Sequence, residues 1–153
     1  MKLEGVRRPP SLEAVLTDPQ VNSEPRIVLI AEDEDIVRRL LTRVLGSAGY
    51  RTLEARHGEE ALRMATFAYP YLHLVITDVV MPELDGRALG LRLRDRFPSL
   101  PVLYISAYPA DDLFHRGAPA SDAPFLQKPV NEAHLLQAVE RLLAPRRESA
   151  EQL

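Results

Sequence analysis

Four apolar runs in this chain each end in charged or hydroxyl side chains, and this repetition constrains the fold more than any other feature. Glu32-Asp33, Asp78, Ser106 and Lys128 follow apolar runs that begin near residues 26, 72, 101 and 125. The intervals between these endings all exceed the roughly dozen residues that a crossover between parallel strands needs. Ligands of open parallel sheets bind beyond the carboxyl ends of the strands. The four endings are therefore expected to converge on one site.

The composition fits one globular domain. Of 153 residues, 46% are apolar and 27% are charged, which suffices to fill a core and to solvate its surface. The absence of cysteine excludes a disulfide framework and thiolate sites. No apolar run approaches the ~20 residues of a membrane span, and a net charge of −3 argues against a broad nucleic-acid footprint. We predict a cytoplasmic protein without membrane insertion or direct nucleic-acid binding.

Helical and extended patterns alternate over residues 25–144, which we predict to be the folded domain. Five apolar runs read as strands, and helical spacing follows near residues 36, 58, 86, 109 and 131. This alternation predicts an α/β fold with a doubly wound, five-stranded parallel sheet. The helix at 109–117 is the weakest element, at barely two turns. In the first helix, the apolar positions are Ile36, Leu40, Leu41, Val44 and Leu45.

The two ends of the chain lack sustained periodicity. Residues 1–24 are predicted to form an N-terminal extension, and residues 145–153 a flexible C-terminal tail. Residues 11–17 have helical spacing, with Ser11 as a candidate N-cap for a short helix.

The residues at the four strand ends suit phosphoryl chemistry. Glu32, Asp33 and Asp78 would repel one another unless protons or a cation compensated their charges. Mg²⁺ fits such a site because it prefers oxygen ligands, and an aspartate can become an aspartyl phosphate. Lys128 could neutralise phosphoryl oxygens, and Ser106 could donate a hydrogen bond to one of them. Each also has an ordinary alternative role: Asp78 and Ser106 as caps, Lys128 as a solvated lysine, and Glu32-Asp33 as a helix start.

The chain resembles the receiver domain of bacterial two-component response regulators over roughly residues 25–144. It is also similar to receivers at the C-terminus of hybrid sensor kinases. The resemblance implies a flavodoxin-like (βα)5 fold and a cis peptide bond between Lys128 and Pro129. It rests on Ile30-Ala-Glu-Asp-Glu34, Thr77-Asp-Val-Val-Met-Pro-Glu-Leu-Asp-Gly86, Ile105-Ser-Ala107 and Lys128-Pro129.

Specific roles follow from this resemblance. It implies that Asp78 is the phosphoacceptor, Lys128 the phosphate-binding lysine and Ser106 the switch hydroxyl. Phe125 occupies the position of the switch aromatic, although a simple core aromatic is an equally good interpretation. The implied Mg²⁺ ligands are Glu32, Asp33, Asp78 and the backbone carbonyl of Val80.

The resemblance further implies a signalling switch that assists its own phosphorylation and dephosphorylation, and not a metabolic enzyme. The expected phosphodonor is a sensor histidine kinase or a histidine phosphotransfer protein. The expected output surface comprises the fourth helix, fifth strand and fifth helix, in a monomer or a phosphorylation-linked dimer. We expect no output domain within this chain.

The alternative is a phosphorylation-independent interaction module on the same scaffold. A haloacid-dehalogenase-like phosphatase is disfavoured because Val80 stands where that pattern has a second aspartate.

Overall fold

A computed structural model describes residues 24–109 and 123–145. The sequence predictions for residues 1–23, 110–122 and 146–153 lie outside these ranges. They include the candidate helix at 11–17 and nearly all of the predicted helix at 109–117.

Five strands and four helices form within the described ranges, in the order that the sequence pattern predicts. They are β1 Ile27–Ala31, α1 Asp35–Ser47, β2 Arg51–Ala55, α2 Gly58–Ala68, β3 Leu72–Asp78, α3 Gly86–Arg96, β4 Val102–Ser106, β5 Phe125–Gln127 and α4 Glu132–Leu143. None of these helices is long and apolar enough to cross a membrane.

The five strands form one sheet in the order β2-β1-β3-β4-β5, and every neighbouring pair is parallel. The predicted doubly wound parallel sheet is confirmed, and its order is the flavodoxin-like one. The chain moves outward in opposite directions from β1 and from β3. The crevice between the carboxyl ends of these two strands is the position where ligands bind in such sheets.

Helices cover both faces of the sheet because alternate strand residues point to opposite sides. Val28 and Ile30 of β1 pack in a cluster with residues of α1 and α4. Leu29 and Ala31 pack in a second cluster with residues of α2 and α3. Burial of each large aliphatic side chain contributes about 1.5–3 kcal/mol, so the two clusters fix the strand register and thereby the strand ends.

Side-chain caps fix where helices α3 and α4 begin. The Asp85 carboxylate accepts a hydrogen bond from the Ala88 N–H at 2.8 Å, and Asn131 Oδ1 accepts one from the His134 N–H at 3.1 Å. Such caps satisfy N–H groups that a helix start leaves without partners. Asn131 therefore marks the start of α4, and Asp85 starts α3 directly beside the end of β3.

Candidate functional site

The predicted site residues lie at the carboxyl edge of the sheet. Glu32 and Asp33 follow β1, Asp78 is the last residue of β3, Ser106 ends β4 and Lys128 follows β5. In the ladder between β1 and β3, Ala31 pairs with Thr77, so the two residues that follow, Glu32 and Asp78, lie next to each other. The sheet therefore brings together side chains that are far apart in the chain.

Three carboxylates form the centre of this edge. Glu32, Asp33 and Asp78 each place an oxygen within 4.8 Å of the others. Glu32 is fully buried and Asp78 nearly so, whereas Asp33 is exposed. The buried Glu32 Oε2 has no hydrogen-bond partner among the described residues. Oxygen donors open to solvent on one side, with one oxygen unpartnered, fit a hard divalent cation such as Mg²⁺.

Lys128 supplies positive charge to this cluster. Its Nζ lies 3.0 Å from Glu32 Oε1, 3.1 Å from Asp78 Oδ2 and 3.3 Å from Glu34 Oε1. The Lys128 N–H donates to the Ser106 carbonyl at 2.7 Å, and the Lys128–Pro129 peptide is cis, as the resemblance implied. One ammonium thus faces three carboxylates and leaves an excess of negative charge.

The pKa values of these groups reflect burial first and the neighbouring charges second. Burial, reinforced by the charge of Asp78, raises the pKa of Glu32 to about 7 in spite of Lys128. Burial also raises the pKa of Asp78, and Lys128 opposes that shift. Burial alone would lower the pKa of Lys128, but its hydrogen bond to Glu32 and the charges of Asp78 and Glu32 raise it. Lys128 is therefore a permanent cation, and the two buried acids retain protons more readily than free carboxylates.

The backbone around Asp78 is tightly held. Asp78 Oδ1 accepts a hydrogen bond from the Val80 N–H at 3.2 Å, and the Thr77 hydroxyl donates to the Asp78 carbonyl at 2.9 Å. The Gly86 N–H donates to the Val79 carbonyl at 2.8 Å. A Cβ at position 86 would lie 2.0 Å from the Asp78 carbonyl oxygen. The start of α3 therefore requires glycine at this point to approach Asp78.

Ser106 ends β4, the strand next to β3, and Phe125 begins β5. Ser106 follows Ile105, the register partner of Asp78, and its buried Oγ accepts a hydrogen bond from the Tyr108 N–H at 3.1 Å. Phe125 pairs in register with Tyr104. The two aromatics pack with Val79, the residue after Asp78. Phe125 is thus linked to the acidic edge through packing and contributes no polar group to it.

Two contributors to the site were missed by sequence reasoning. Glu34 contacts Lys128, and it could have been found as the third acid of the run Glu32-Asp33-Glu34. Arg38 is buried and donates to the Glu32 carbonyl at 2.9 Å. Its signal was its spacing from Leu41 and Leu45, which places it on the buried stripe of α1.

A profile described as "Response regulator receiver domain" matches residues 28–140 of the chain. This chain belongs to that family. Receiver domains are signalling switches and not classical enzymes, as the sequence led us to expect. Family membership and the shared fold also confirm the resemblance that the sequence motifs indicated.

Individual relatives of the receiver family agree with this assignment. The response regulator receiver protein CpdR of Brucella abortus (strain 2308) is 33% identical over 119 residues, which cover 76% of this chain and 95% of CpdR. The sensor kinase CckA of the same strain is 42% identical over 118 residues. That match covers 76% of this chain but only 12% of CckA. A chain of the CheX-CheY-BeF3-Mg²⁺ complex from Borrelia burgdorferi superposes with a TM-score of 0.70 at 28% identity, covering 81% of this chain and 93% of that chain.

Proposed function

We propose that this receiver is a phosphoacceptor switch in which Asp78 takes a phosphoryl group from a phosphohistidine. The donor would be a sensor histidine kinase or a histidine phosphotransfer protein in the cytoplasm. The observation that carries the proposal is the contact of the buried Asp78 carboxylate with Lys128 at 3.1 Å, beside two further carboxylates. A nucleophile and its charge partner are thereby held together at the ligand-binding edge of the sheet.

The proposed transfer is a displacement at phosphorus. A carboxylate oxygen of Asp78 forms the new P–O bond while the P–N bond to the donor histidine breaks, and the imidazole keeps the electron pair. Lys128 Nζ lies 3.1 Å from Asp78 Oδ2 and would form an ion pair with the phosphoryl oxygens once they are bound there. The Ser106 hydroxyl would donate a hydrogen bond to one of the phosphoryl oxygens. Attack of water on the phosphorus of the acyl phosphate would break its bond to the Asp78 oxygen, release inorganic phosphate and so reverse the switch.

Glu32, Asp33, Asp78 and the Val80 carbonyl are the proposed ligands of Mg²⁺, which when bound would neutralise the carboxylates and the phosphoryl oxygens. The buried Glu32 Oε2, which has no hydrogen-bond partner in the part of the chain that the structure describes, supports this assignment. The Borrelia complex, which contains Mg²⁺, offers further support. Asp33 is exposed at the mouth of the cluster and would reach the cation from the solvent side.

Intact mass spectrometry after incubation with a small phosphodonor tests the proposal. With Mg²⁺, the wild type should gain one phosphoryl group, and chelation of Mg²⁺ should abolish the gain. Asp78→Asn should gain none, whereas Asp95→Asn, at an exposed aspartate of α3, should behave like the wild type. Modification that persists in Asp78→Asn would contradict the assignment. A folded wild type that gains nothing, even when quenched within seconds, would favour the phosphorylation-independent interaction module.

A further inference from the structure

Arg38 of α1 is a buried arginine that faces three acceptors. Its Nη1 donates to the Glu32 carbonyl at 2.9 Å, its Nη2 to Asp35 Oδ1, and its Nε lies 3.4 Å from Glu54 Oε1. Only 6% of the residue is exposed. A buried guanidinium is costly unless its donors are paired, so the three contacts explain how the fold tolerates it. They also connect the end of β1, the start of α1 and strand β2.

The contact with the Glu32 carbonyl fixes a peptide group inside the acidic site. That carbonyl belongs to the peptide that joins Glu32 to Asp33, so its orientation sets the directions in which both side chains leave the backbone. On the other side of Glu32, its N–H donates to the Ala55 carbonyl at 3.0 Å. Glu32 is therefore clamped through both of its peptide groups, once by β2 and once by Arg38.

The shape of arginine suits this arrangement. Its planar guanidinium presents donors in fixed directions, whereas a lysine ammonium is a compact point charge on a flexible stem. Lysine at position 38 could keep the charge but could not reach the Glu32 carbonyl, Asp35 and Glu54 in the same geometry. The positive charge itself would weaken cation binding nearby, which indicates that the hydrogen bond to the carbonyl is the useful contribution.

We propose that Arg38 is a positioning residue for the divalent cation site: it holds the Glu32–Asp33 peptide so that both carboxylates are preset before a cation binds. This inference rests on the proposed function, since the cation is the one that phosphoryl transfer would use. Groups that orient the ligands of a metal, without touching the metal, change its affinity by about 10–100-fold when removed. Arg38 would orient Glu32 and Asp33 in this way, through its hydrogen bond to the Glu32 carbonyl.

Calorimetric titration with Mg²⁺ at pH 7.5 separates this role from general stabilisation. Arg38→Gln is compared with Arg39→Gln, which removes the same charge from the adjacent, exposed position of α1. Loss of charge alone should leave Mg²⁺ affinity unchanged or slightly higher, as expected for Arg39→Gln. Arg38→Gln should raise the Kd for Mg²⁺ about tenfold or more. Arg38→Lys, which keeps the charge, should raise the Kd in the same direction and serves as the test if Arg38→Gln does not fold.

The possible results have distinct meanings. A wild type that binds no Mg²⁺ would overturn the metal-dependent function and the role of Arg38 with it. A wild type that binds Mg²⁺, while folded Arg38→Gln or Arg38→Lys binds within twofold of the Arg39→Gln value, would overturn the positioning role alone. Urea denaturation in metal-free buffer measures the loss of stability separately, so that affinities are compared only for the folded proteins.

Discussion

Glu32 lies in an unfavourable environment for a carboxylate. Its side chain is fully buried, one oxygen lacks a hydrogen-bond partner within the described part of the chain, and Asp78 lies beside it. Lys128 compensates only part of this cost, because the same ammonium also contacts Asp78 and Glu34. Such an arrangement lowers the stability of the metal-free fold. A bound cation would relieve this electrostatic cost, and that relief would favour its binding.

Because the pKa of Glu32 differs between the folded and unfolded states, the stability of the metal-free protein should depend on pH. Because the pKa rises from 4.5 to about 7 on folding, the native state binds more protons than the unfolded state between these values. The free energy of unfolding in metal-free buffer should therefore fall as pH rises from about 4.5 to 7, by roughly 3 kcal/mol at most. The raised pKa of Asp78 acts in the same direction.

Urea denaturation of wild type and Glu32→Gln at pH 5 and pH 7.5, with a chelator present, checks this expectation. The variant should match the wild type at pH 5 and exceed its stability at pH 7.5, since the glutamine side chain cannot ionise. A residual slope from Asp78 is expected in the variant. Equal pH slopes in the two proteins would show that Glu32 is not the group responsible.

The elements of the site meet through close backbone contacts, most tightly where α3 begins against the end of β3. A Cβ on Gly86 would lie 2.0 Å from the Asp78 carbonyl oxygen and 2.8 Å from the Val79 Cα. These are backbone atoms of a central strand and the residue that follows it, so they cannot move aside as a flexible side chain can. The position of α3 and that of the proposed phosphoacceptor are therefore coupled.

Replacement of Gly86 by alanine should separate α3 from β3, at a cost of about 3 kcal/mol or more in the free energy of unfolding. Gly46→Ala is the matched control, because this glycine lies in α1 and a Cβ there would have no neighbour within 4 Å. That variant should gain about 0.5–1 kcal/mol from helix propensity alone. Chemical denaturation measures both, and comparable effects of the two substitutions would refute the proposed close approach.

Across the whole molecule, the two edges of the sheet differ in how firmly they are held. The strand β5 has three residues, carries the half-buried Phe125 and, within ranges 24–109 and 123–145, pairs with β4 alone. At the opposite edge, five residues of β2 pair with β1. Few contacts and a short ladder mark an element of low local stability. The β5 edge is therefore where phosphorylation of Asp78 should have its largest structural effect.

Amide hydrogen exchange in the presence and absence of a phosphodonor with Mg²⁺ checks this expectation. We predict that exchange rates change by severalfold in β5 and α4, as Ser106 is drawn toward the phosphoryl group and Phe125 repacks. β2 serves as the internal control and should show unchanged rates, and Asp78→Asn should abolish the difference. If β5 and α4, the predicted fifth helix, exchange at the same rates in the phosphorylated protein, the output surface that the resemblance implied is wrong.

Most of the fold was predictable from local patterns. Apolar runs of strand length alternate with helical spacing, and this alternation determined the parallel sheet and the convergence of Glu32, Asp33, Asp78 and Lys128. One exception lies within α1. Ile36, predicted as an apolar core position, is 84% exposed, while Arg38 lies on the buried stripe with Leu41 and Leu45. Hydrophobicity alone misassigned Ile36, and it left Arg38 out of the core because Arg38 is buried through polar contacts.

The sequence by itself determined the element order, the site edge and the chemistry of its residues, because these depend on periodicity and on residue type. Only the tertiary structure decided which polar atoms pair. Lys128 contacts three carboxylates, and Arg38 binds the Glu32 carbonyl, so both side chains join separate elements. Glu32 Oε2, by contrast, finds no hydrogen-bond partner among the described residues. Hydrogen bonds require distances within a few tenths of an ångström, and these distances are set by how the helices pack on the sheet and not by spacing along the chain.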